Sequence, residues 1–225
     1  MKIAIDGPVA SGKDTVGRKA AEILEMTYID SGALFRAVGI YCLSSGIPVD
    51  KEAEVCRYLK ASPPKITLRN PLTSEKDGRL TTVFLNEQDV SWDIRSPQAD
   101  GVSSLVARHE CVRDFLLDIQ RNLAEQTNVV MSGRDIQTFV FPDADLKIFL
   151  TADEEVRARR RFDELRARGE RVEFQDVLAD MRSRDRADRR RPLRPLKKAP
   201  DAIEVDTTRM TIDEVVARIV QLARQ

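Results

Sequence analysis

Short apolar runs alternate with amphipathic segments along the 225 residues of the chain. Five of these runs predict β-strands, at residues 3–6, 27–30, 128–132, 146–150 and 202–205. Between them, apolar residues recur every three or four positions, as they do on one face of a helix. Strands that alternate with helices in this way predict an α/β fold with a doubly wound parallel sheet of five strands.

Polar residues mark the points where three of the helices begin. Ser31 follows the second strand directly and is a favourable N-cap residue. Thr151 and Thr211 are each followed three residues later by a glutamate, which is the capping-box pattern. We therefore expect these three residues to cap the helices that follow them.

The alternation of strands and helices is interrupted between residues 63 and 94. Short β-like runs at residues 66–68, 81–85 and 89–91 are separated there by turn residues. Strand–helix units resume afterwards, so we interpret 63–94 as a small β subdomain inserted into a single domain that spans 1–225.

A glycine-rich turn joins the first strand to the first helix, with the sequence Gly7-Pro8-Val9-Ala10-Ser11-Gly12-Lys13-Asp14-Thr15. Two glycines and a lysine at this spacing behind a strand are typical of a loop that binds phosphate. Backbone N–H groups and the helix N-terminus attract the anion, and Lys13 can reach the outer phosphates of a nucleoside triphosphate. The alternative is a glycine turn with a lysine on a solvated helix start.

One residue of this loop departs from the general pattern. Asp14 stands where a serine or threonine hydroxyl usually holds magnesium, and Thr15 follows it. Either Thr15 supplies the hydroxyl one residue later, or Asp14 itself approaches the metal. A carboxylate beside a triphosphate is repelled unless a cation lies between them, so phosphate binding is better supported than efficient transfer.

Two further strand ends carry polar clusters. Asp30 and Ser31 follow the second strand, with Arg36 one turn into the next helix, and Gly133-Arg134-Asp135 follow the third core strand. Ligands of open parallel sheets bind at the carboxyl ends of the strands. We therefore expect these clusters and the glycine-rich loop to converge, although any one of them alone could be a surface turn.

Arginines are concentrated between residues 151 and 195, a stretch that contains 14 arginines and 11 acidic residues. Those within 157–169 predict a mobile lid that closes over phosphates and excludes water. The alternative is a solvated helix face with salt bridges to neighbouring acids. Farther on, Arg184, Asp188 and Arg191 share one helix face. An RNA-binding arm competes there, but no aromatic residues interleave for base stacking.

The remaining composition limits the class of protein. The net charge is zero, which argues against a general nucleic-acid binder, and no apolar run approaches the length of a membrane span. The first strand begins almost at once, so we expect no signal or transit peptide. Cys42, Cys56 and Cys111 are unclustered, so we expect buried thiols in a reduced cytoplasm. His109, the only histidine, is expected to be an exposed helix residue at a break between two helices.

Taken together, these motifs resemble the bacterial cytidylate kinase family, a group of P-loop nucleoside monophosphate kinases. The resemblance covers nearly the whole chain. It rests on motifs beginning at residues 5, 30, 133, 141 and 184, namely Ile5-Asp6-Gly7-Pro8, Asp30-Ser31-Gly32-Ala33, Gly133-Arg134-Asp135-Ile136, Phe141-Pro142-Asp143-Ala144 and Arg184-Asp185-Arg186-Ala187-Asp188-Arg189. The insert at 63–94 is similar to the β-containing monophosphate-binding subdomain of that family.

The resemblance implies phosphoryl transfer from ATP, with Mg²⁺, to CMP or dCMP in a cytoplasmic monomer without membrane or stable nucleic-acid partners. It implies that Lys13 serves the ATP phosphates, and that Arg160 and Arg161 belong to the lid. Around the acceptor it implies three groups of residues. They are Ser31, Arg36, Arg134 and Arg191 for phosphate, Ser104, Arg113 and Asp135 for the cytosine edge, and Arg184 and Asp188 for the sugar.

Two residues depart from the family pattern close to this chemistry. Asp14 replaces a small or hydroxylated residue, and Gln137 replaces a glycine, which we expect to put a bulky amide beside the acceptor site. These departures leave two alternatives open. One is a kinase for another or modified nucleoside monophosphate, and the other is a nucleotide-binding protein in which Asp14 weakens transfer.

Overall fold

The structure is a computed structural model that describes residues 1–75 and 77–225. Its elements, in chain order, are β1 (Lys2–Asp6), α1 (Lys13–Ile23), β2 (Thr27–Asp30), α2 (Ser31–Ser44), α3 (Glu52–Ala61), β3 (Ile66–Arg69), β4 (Thr82–Leu85), β5 (Gln88–Asp89), α4 (Pro97–Val106), α5 (Glu110–Gln126), β6 (Val129–Gly133), β7 (Leu146–Thr151), α6 (Glu154–Ala167), α7 (Phe174–Arg190), β8 (Ile203–Asp206) and α8 (Ile212–Ala223). A 3₁₀ turn spans Asp93–Arg95, and a π-helical turn spans Ile136–Val140.

The main sheet has five strands in the order β2-β6-β1-β7-β8. Strand β1 pairs in parallel with β7, with Ile3 opposite Leu146, and β7 pairs in parallel with β8, with Ile148 opposite Ile203. Ile3, Ala4 and Ile5 are fully buried, which is typical of a strand in a parallel sheet covered on both faces. The α/β fold with a five-stranded parallel sheet is thereby confirmed.

The chain divides into two compact units, which are described separately. The first comprises Met1–Leu24 and Val130–Gln225. In it, α8 buries Val215 and Ile219, and the predicted capping box is present. The Thr211 hydroxyl accepts the Glu214 N–H, and the Glu214 carboxylate accepts the Thr211 N–H at 2.8 Å.

Helices α6 and α7 of the first unit pack on each other through an apolar cluster. Ala158 of α6 and Met181 of α7 are almost fully buried within it. Val9 and Ala10, from the glycine-rich loop, pack against the same cluster. The two arginine-rich helices are therefore anchored on the loop by apolar contacts.

The second unit comprises Glu25–Val129 and contains α2 to α5 with a small antiparallel sheet. That sheet has the order β3-β4-β5, and Ile66 of β3 lies opposite Leu85 of β4. Strands β3 and β4 occur where the sequence predicted them, whereas β5 overlaps the predicted run 89–91 only at Asp89. That they form a separate monophosphate-binding subdomain at 63–94 stays a prediction.

Three predictions about helix starts and the histidine need correction. Asp153, rather than Thr151, caps α6, since its carboxylate accepts the backbone N–H of Glu155 at 2.9 Å. Ser31 is the first residue of α2 rather than its N-cap. His109 lies at the expected break between α4 and α5, but it is buried rather than exposed. Its Nε2 lies 2.7 Å from the Val49 carbonyl oxygen, which satisfies the buried ring.

The expectation of three buried thiols is wrong for two of the cysteines. Cys56 of α3 and Cys111 at the start of α5 form a disulfide, with their Cα atoms 5.7 Å apart. They are separated by 55 residues, so no short spacing in the sequence indicates the pairing. Cys42 is a buried free thiol, and burial raises its pKa to about 11.

Among residues 1–75 and 77–225, no helix combines the length and the apolar character that crossing a bilayer requires.

The disulfide is expected to contribute to the stability of the protein. Closing a loop with a separation of 55 residues reduces the entropy of the unfolded chain by an amount equivalent to about 4 kcal/mol. We expect a reductant to lower the unfolding temperature of the wild type, and the double variant Cys56→Ser/Cys111→Ser to unfold at that lower temperature with or without reductant. Thermal unfolding followed by circular dichroism measures both, and titration of three free thiols in the native protein would contradict the pairing.

Candidate active site

The turn between β1 and α1 is built from close backbone packing. A Cβ atom added to Gly7 would lie 2.4 Å from the Leu150 carbonyl oxygen, so no side chain fits there. Gly12 has a φ of 87° and precedes the first residue of α1, which is Lys13. The Lys13 side chain is only 8% exposed. The loop thus sits at a helix N-terminus with one buried cation, which suits a phosphate chain.

Asp6, at the end of β1, holds this turn against the segment that follows β6. Its carboxylate is fully buried and accepts the backbone N–H groups of Ile136 at 3.0 Å and Gln137 at 2.9 Å. Burial raises the pKa of Asp6 to about 7, and the two N–H donors oppose that rise. Asp6 therefore fixes the residues after Arg134 and Asp135 relative to the start of the loop.

Asp14 is held in place by a residue of the neighbouring strand. Its Oδ1 accepts the Ser132 hydroxyl at 2.8 Å, and its Oδ2 lies 3.4 Å from Lys13 Nζ. The carboxylate remains 42% exposed. Thr15 follows on the first turn of α1 and is partly buried. Both candidate metal ligands therefore lie on the first turn of the helix behind the loop.

The cluster at the end of β6 faces α7 and its C-terminal end. Arg134 Nε donates to Asp188 at 2.8 Å, and the Arg191 guanidinium lies 3.5 Å from the Asp135 carboxylate. Burial acts to lower the pKa of Arg134, but the surrounding carboxylates, Asp188 first, raise it overall. Burial lowers the pKa of Arg191. The structure thus brings together four predicted substrate residues as two arginine–carboxylate pairs.

The other predicted arginines of the first unit have protein partners as well. Arg160 donates to the Thr207 hydroxyl at 3.0 Å and to the Thr207 carbonyl at 2.7 Å. Arg161, whose side chain is 19% exposed, pairs with Glu164 at 3.0 Å, and Arg184, whose side chain is 38% exposed, pairs with Asp180 at 2.9 Å. The pair of Arg161 with an acid of the same helix is of the kind that the alternative of neighbouring salt bridges describes. A lid at 157–169 stays a prediction.

In the second unit, the predicted cluster after β2 is present. Arg36 Nη2 lies 2.6 Å from the Asp30 carboxylate, and Ser31 between them in sequence is buried. Ser104 is exposed on α4. Arg113 of α5 is buried, donates to the Ala107 carbonyl at 2.6 Å and lies over the Phe35 ring. The Arg36 and Arg113 side chains of this unit are therefore each held by a hydrogen bond to the protein.

The expectation for Gln137 is wrong. Its side chain is 1% exposed and lies in the interior rather than beside an open site. Its Nε2 donates to the Ile148 carbonyl at 3.2 Å, and its Oε1 accepts the Ala199 N–H at 2.9 Å. Because both ends of the amide are occupied, Gln137 joins β7 to the segment after α7. The replacement of glycine at this position therefore acts on the interior of the first unit.

Two residues of the site have no role in the sequence-based expectations. Arg157 of α6 and Asp185 of α7 form an ion pair at 2.7 Å, and both are less than a tenth exposed. Asp185 Oδ1 also accepts the Val9 N–H at 3.3 Å, and Arg157 Nη1 donates to the Val9 carbonyl at 3.0 Å. Arg157 is merely the first residue of the predicted lid, and nothing in the spacing indicates its partner.

A glycine-rich loop with a buried lysine, set between the first strand and the first helix of a parallel sheet, is typical of P-loop nucleotide-binding proteins. The comparison with known families is more specific. The chain belongs to the cytidylate kinase family, whose model matches residues 3–225.

Individual relatives match along the full length. A cytidylate kinase from Thermosipho melanesiensis is 42% identical over 224 residues, which cover 100% of this chain and 97% of the relative. A cytidylate kinase from Carboxydothermus hydrogenoformans is 41% identical over 222 residues, which cover 99% of this chain and 96% of the relative. The crystal structure of an uncharacterized protein from Eubacterium ventriosum superposes with a TM-score of 0.53 at 14% identity, covering 100% of this chain and 99% of that one. This last similarity concerns the fold alone.

Asp6 is expected to make stability depend on pH. Its pKa is about 7 in the folded protein against 3.8 ordinarily, so between these values the folded state holds a proton that the unfolded chain has lost. The free energy of unfolding should therefore fall as pH rises through this window, by up to about 4 kcal/mol, and level off above it. Asp6→Asn should lose this slope. Urea unfolding of both proteins at several pH values measures the difference, and parallel curves would contradict the assignment.

Proposed function

We propose that this protein transfers the terminal phosphoryl group of ATP to CMP or dCMP, giving ADP and the corresponding diphosphate. The observation that carries the proposal is the buried lysine in a glycine-rich loop, in a chain that belongs over residues 3–225 to the cytidylate kinase family. Phosphoryl transfer needs little covalent chemistry from the protein, so the required groups are those that position and neutralise phosphates.

On the donor side, the loop N–H groups and the N-terminus of α1 bind the phosphates of ATP, and Lys13 neutralises the charge of the outer ones. Arg134 and Arg191 stabilise the charge that develops on the transferring group, because guanidinium groups match phosphate oxygens in a bidentate manner. Arg160 and Arg161 approach the nucleotide from the lid at 157–169. In the structure Arg160 bonds to Thr207 and Arg161 pairs with Glu164.

Mg²⁺ fits the donor groups on the first turn of α1. The ion is usually bound through one or two carboxylates or hydroxyls together with substrate phosphates, rather than by a complete protein cage. The partly exposed Asp14 carboxylate and the Thr15 hydroxyl match this description. Among residues 1–75 and 77–225 no group of three or more acidic, histidine or cysteine side chains could hold a metal. Magnesium that arrives with ATP supplies the charge neutralisation.

On the acceptor side, Ser31 and Arg36 bind the phosphate of the monophosphate. Ser104, Arg113 and Asp135 read the base, since a carboxylate can accept the exocyclic amine of cytosine but not the carbonyl of uracil. Arg184 and Asp188 bind the sugar. The carboxylate partners of Arg36 and Arg134 fix the orientation of these arginines, which lowers the entropic cost of binding a phosphate.

We further propose that the protein is a cytoplasmic monomer. It has no membrane partner and no stable nucleic-acid partner. The Cys56–Cys111 disulfide is unusual for a reducing compartment, in which such bonds are rare. Size-exclusion chromatography tests the oligomeric state, and thiol trapping in intact cells tests whether the disulfide persists there.

A coupled assay that detects ADP tests the proposed reaction. With MgATP and each of CMP, dCMP, UMP and AMP, we expect CMP and dCMP to have kcat/KM values at least about a hundredfold above those of UMP and AMP. The physical reason is that a wrong base leaves buried polar groups of the site unpaired. Faster turnover of UMP or AMP would favour the alternative of a kinase for another monophosphate, and no turnover of any of the four would contradict the proposal.

A second candidate function rests on Asp14, whose carboxylate lies beside Lys13. If this charge meets the triphosphate without a cation between them, ATP binds but transfer is weak. We expect Asp14→Asn to bind metal-free ATP about threefold to tenfold more tightly than the wild type, because one repulsive charge is removed. With Mg²⁺ present the difference should vanish or reverse.

Isothermal titration calorimetry with ATP in EDTA and in excess magnesium measures both affinities. A much higher kcat for Asp14→Ser than for the wild type would support the candidate of weakened transfer. Equal affinities of the wild type and Asp14→Asn for metal-free ATP would mean that Asp14 does not face the phosphates.

A further inference from the structure

The ion pair between α6 and α7 uses both backbone groups of one residue of the phosphate loop. Asp185 accepts the N–H of Val9 at 3.3 Å, and Arg157 donates to the carbonyl of Val9 at 3.0 Å. Arg157 Nε also donates to the Ala152 carbonyl at 3.1 Å, at the end of β7. The pair is therefore fixed at three points, two of which lie on the loop.

This contact determines how the next peptide group is oriented. In a trans peptide the carbonyl of one residue and the N–H of the following residue point in opposite directions. Because the Val9 carbonyl points to Arg157, the Ala10 N–H points away from α6. Ala10 itself has a φ of 56°, a left-handed conformation that costs a non-glycine residue energy. A strained residue of this kind persists only when neighbouring contacts hold it.

We propose that Arg157 and Asp185 are positioning residues that hold the phosphate loop in its nucleotide-binding conformation through Val9. They do not need to touch the nucleotide. Their effect is to turn the Ala10 N–H away from the helices and to keep the following residues, up to Gly12, in the conformation that closes around phosphate. The inference rests on the proposed function only in that the loop binds ATP.

A role in stability alone does not explain this arrangement. A buried ion pair contributes little net stability, because its desolvation offsets its attraction, and a well-packed apolar pair often replaces it without loss. A second pair, Glu154–Arg182 at 2.7 Å, joins the same two helices at their exposed side. Joining α6 to α7 therefore does not require a buried pair bonded to the loop.

The decisive experiment replaces both partners with apolar residues. The variant Arg157→Met/Asp185→Leu removes the bonds to Val9 while leaving no unpaired buried charge. We expect its unfolding temperature to stay close to that of the wild type, its Kd for ATP to rise at least tenfold, and its KM for CMP to change less than threefold. Glu154→Gln/Arg182→Gln is the matched control, and neither Kd nor KM should change in it.

Calorimetric titration with ATP gives the Kd, and thermal unfolding reports the fold. A stable double variant that binds ATP like the wild type would overturn the proposal. If the double variant does not fold, Asp185→Asn decides the question. Asparagine keeps the shape of Asp185 but carries no charge to pair with Arg157. We therefore expect weaker ATP binding with the KM for CMP unchanged. Equal losses of affinity for both nucleotides would contradict the proposal.

This experiment separates the inference from the proposed function. The Kd for ATP is measured without any acceptor, so it does not depend on which monophosphate is phosphorylated. A wild type that binds ATP but does not phosphorylate CMP would contradict the proposed function while the weaker binding of the double variant would still support the role of the pair.

Discussion

The first unit depends on how closely backbone segments pack at the carboxyl end of β1. Gly7 leaves no room for a side chain next to the Leu150 carbonyl, and Asp6 uses its whole carboxylate on two backbone N–H groups. A buried carboxylate is costly unless it is hydrogen-bonded, so these bonds and the packing support each other. The turn that follows is consequently held in one conformation by contacts within the protein.

Arginines and carboxylates are arranged in pairs within each unit. Arg134 with Asp188 and Arg157 with Asp185 each match one guanidinium to one carboxylate in the first unit, and Arg36 with Asp30 does the same in the second. A phosphate site needs concentrated positive charge, and unpaired buried arginines would be costly in the absence of ligand. Pairing keeps the arginines oriented without that cost. Two of the three pairs contain a predicted substrate arginine.

Much of the fold could be predicted because local patterns determine it. The buried run of β1, the glycine spacing of the loop and the capping box at Thr211 each lie within a few residues of sequence. Apart from the helix caps, the missed features join residues far apart in the chain. His109 bonds to Val49, Cys56 pairs with Cys111, and neither partner is indicated by a local spacing. Tertiary packing decides such contacts, and a single sequence contains no direct signal of it.

The candidate site likewise contains residues that the sequence could identify and residues that it could not. Residues that resemble a family motif, such as Arg134 and Asp188, could be assigned a role in advance, and the structure places these two together. Residues that hold the motif in its conformation could not be assigned a role in advance, because they form hydrogen bonds to backbone atoms. Asp185 holds Val9, and Gln137 holds Ala199 and Ile148, through groups that every residue possesses. Any residue can supply the backbone group to which such a side chain bonds. The sequence therefore does not indicate which residue is held. Departures from a family pattern near a site therefore have to be traced to their contacts before they are interpreted as changes in chemistry.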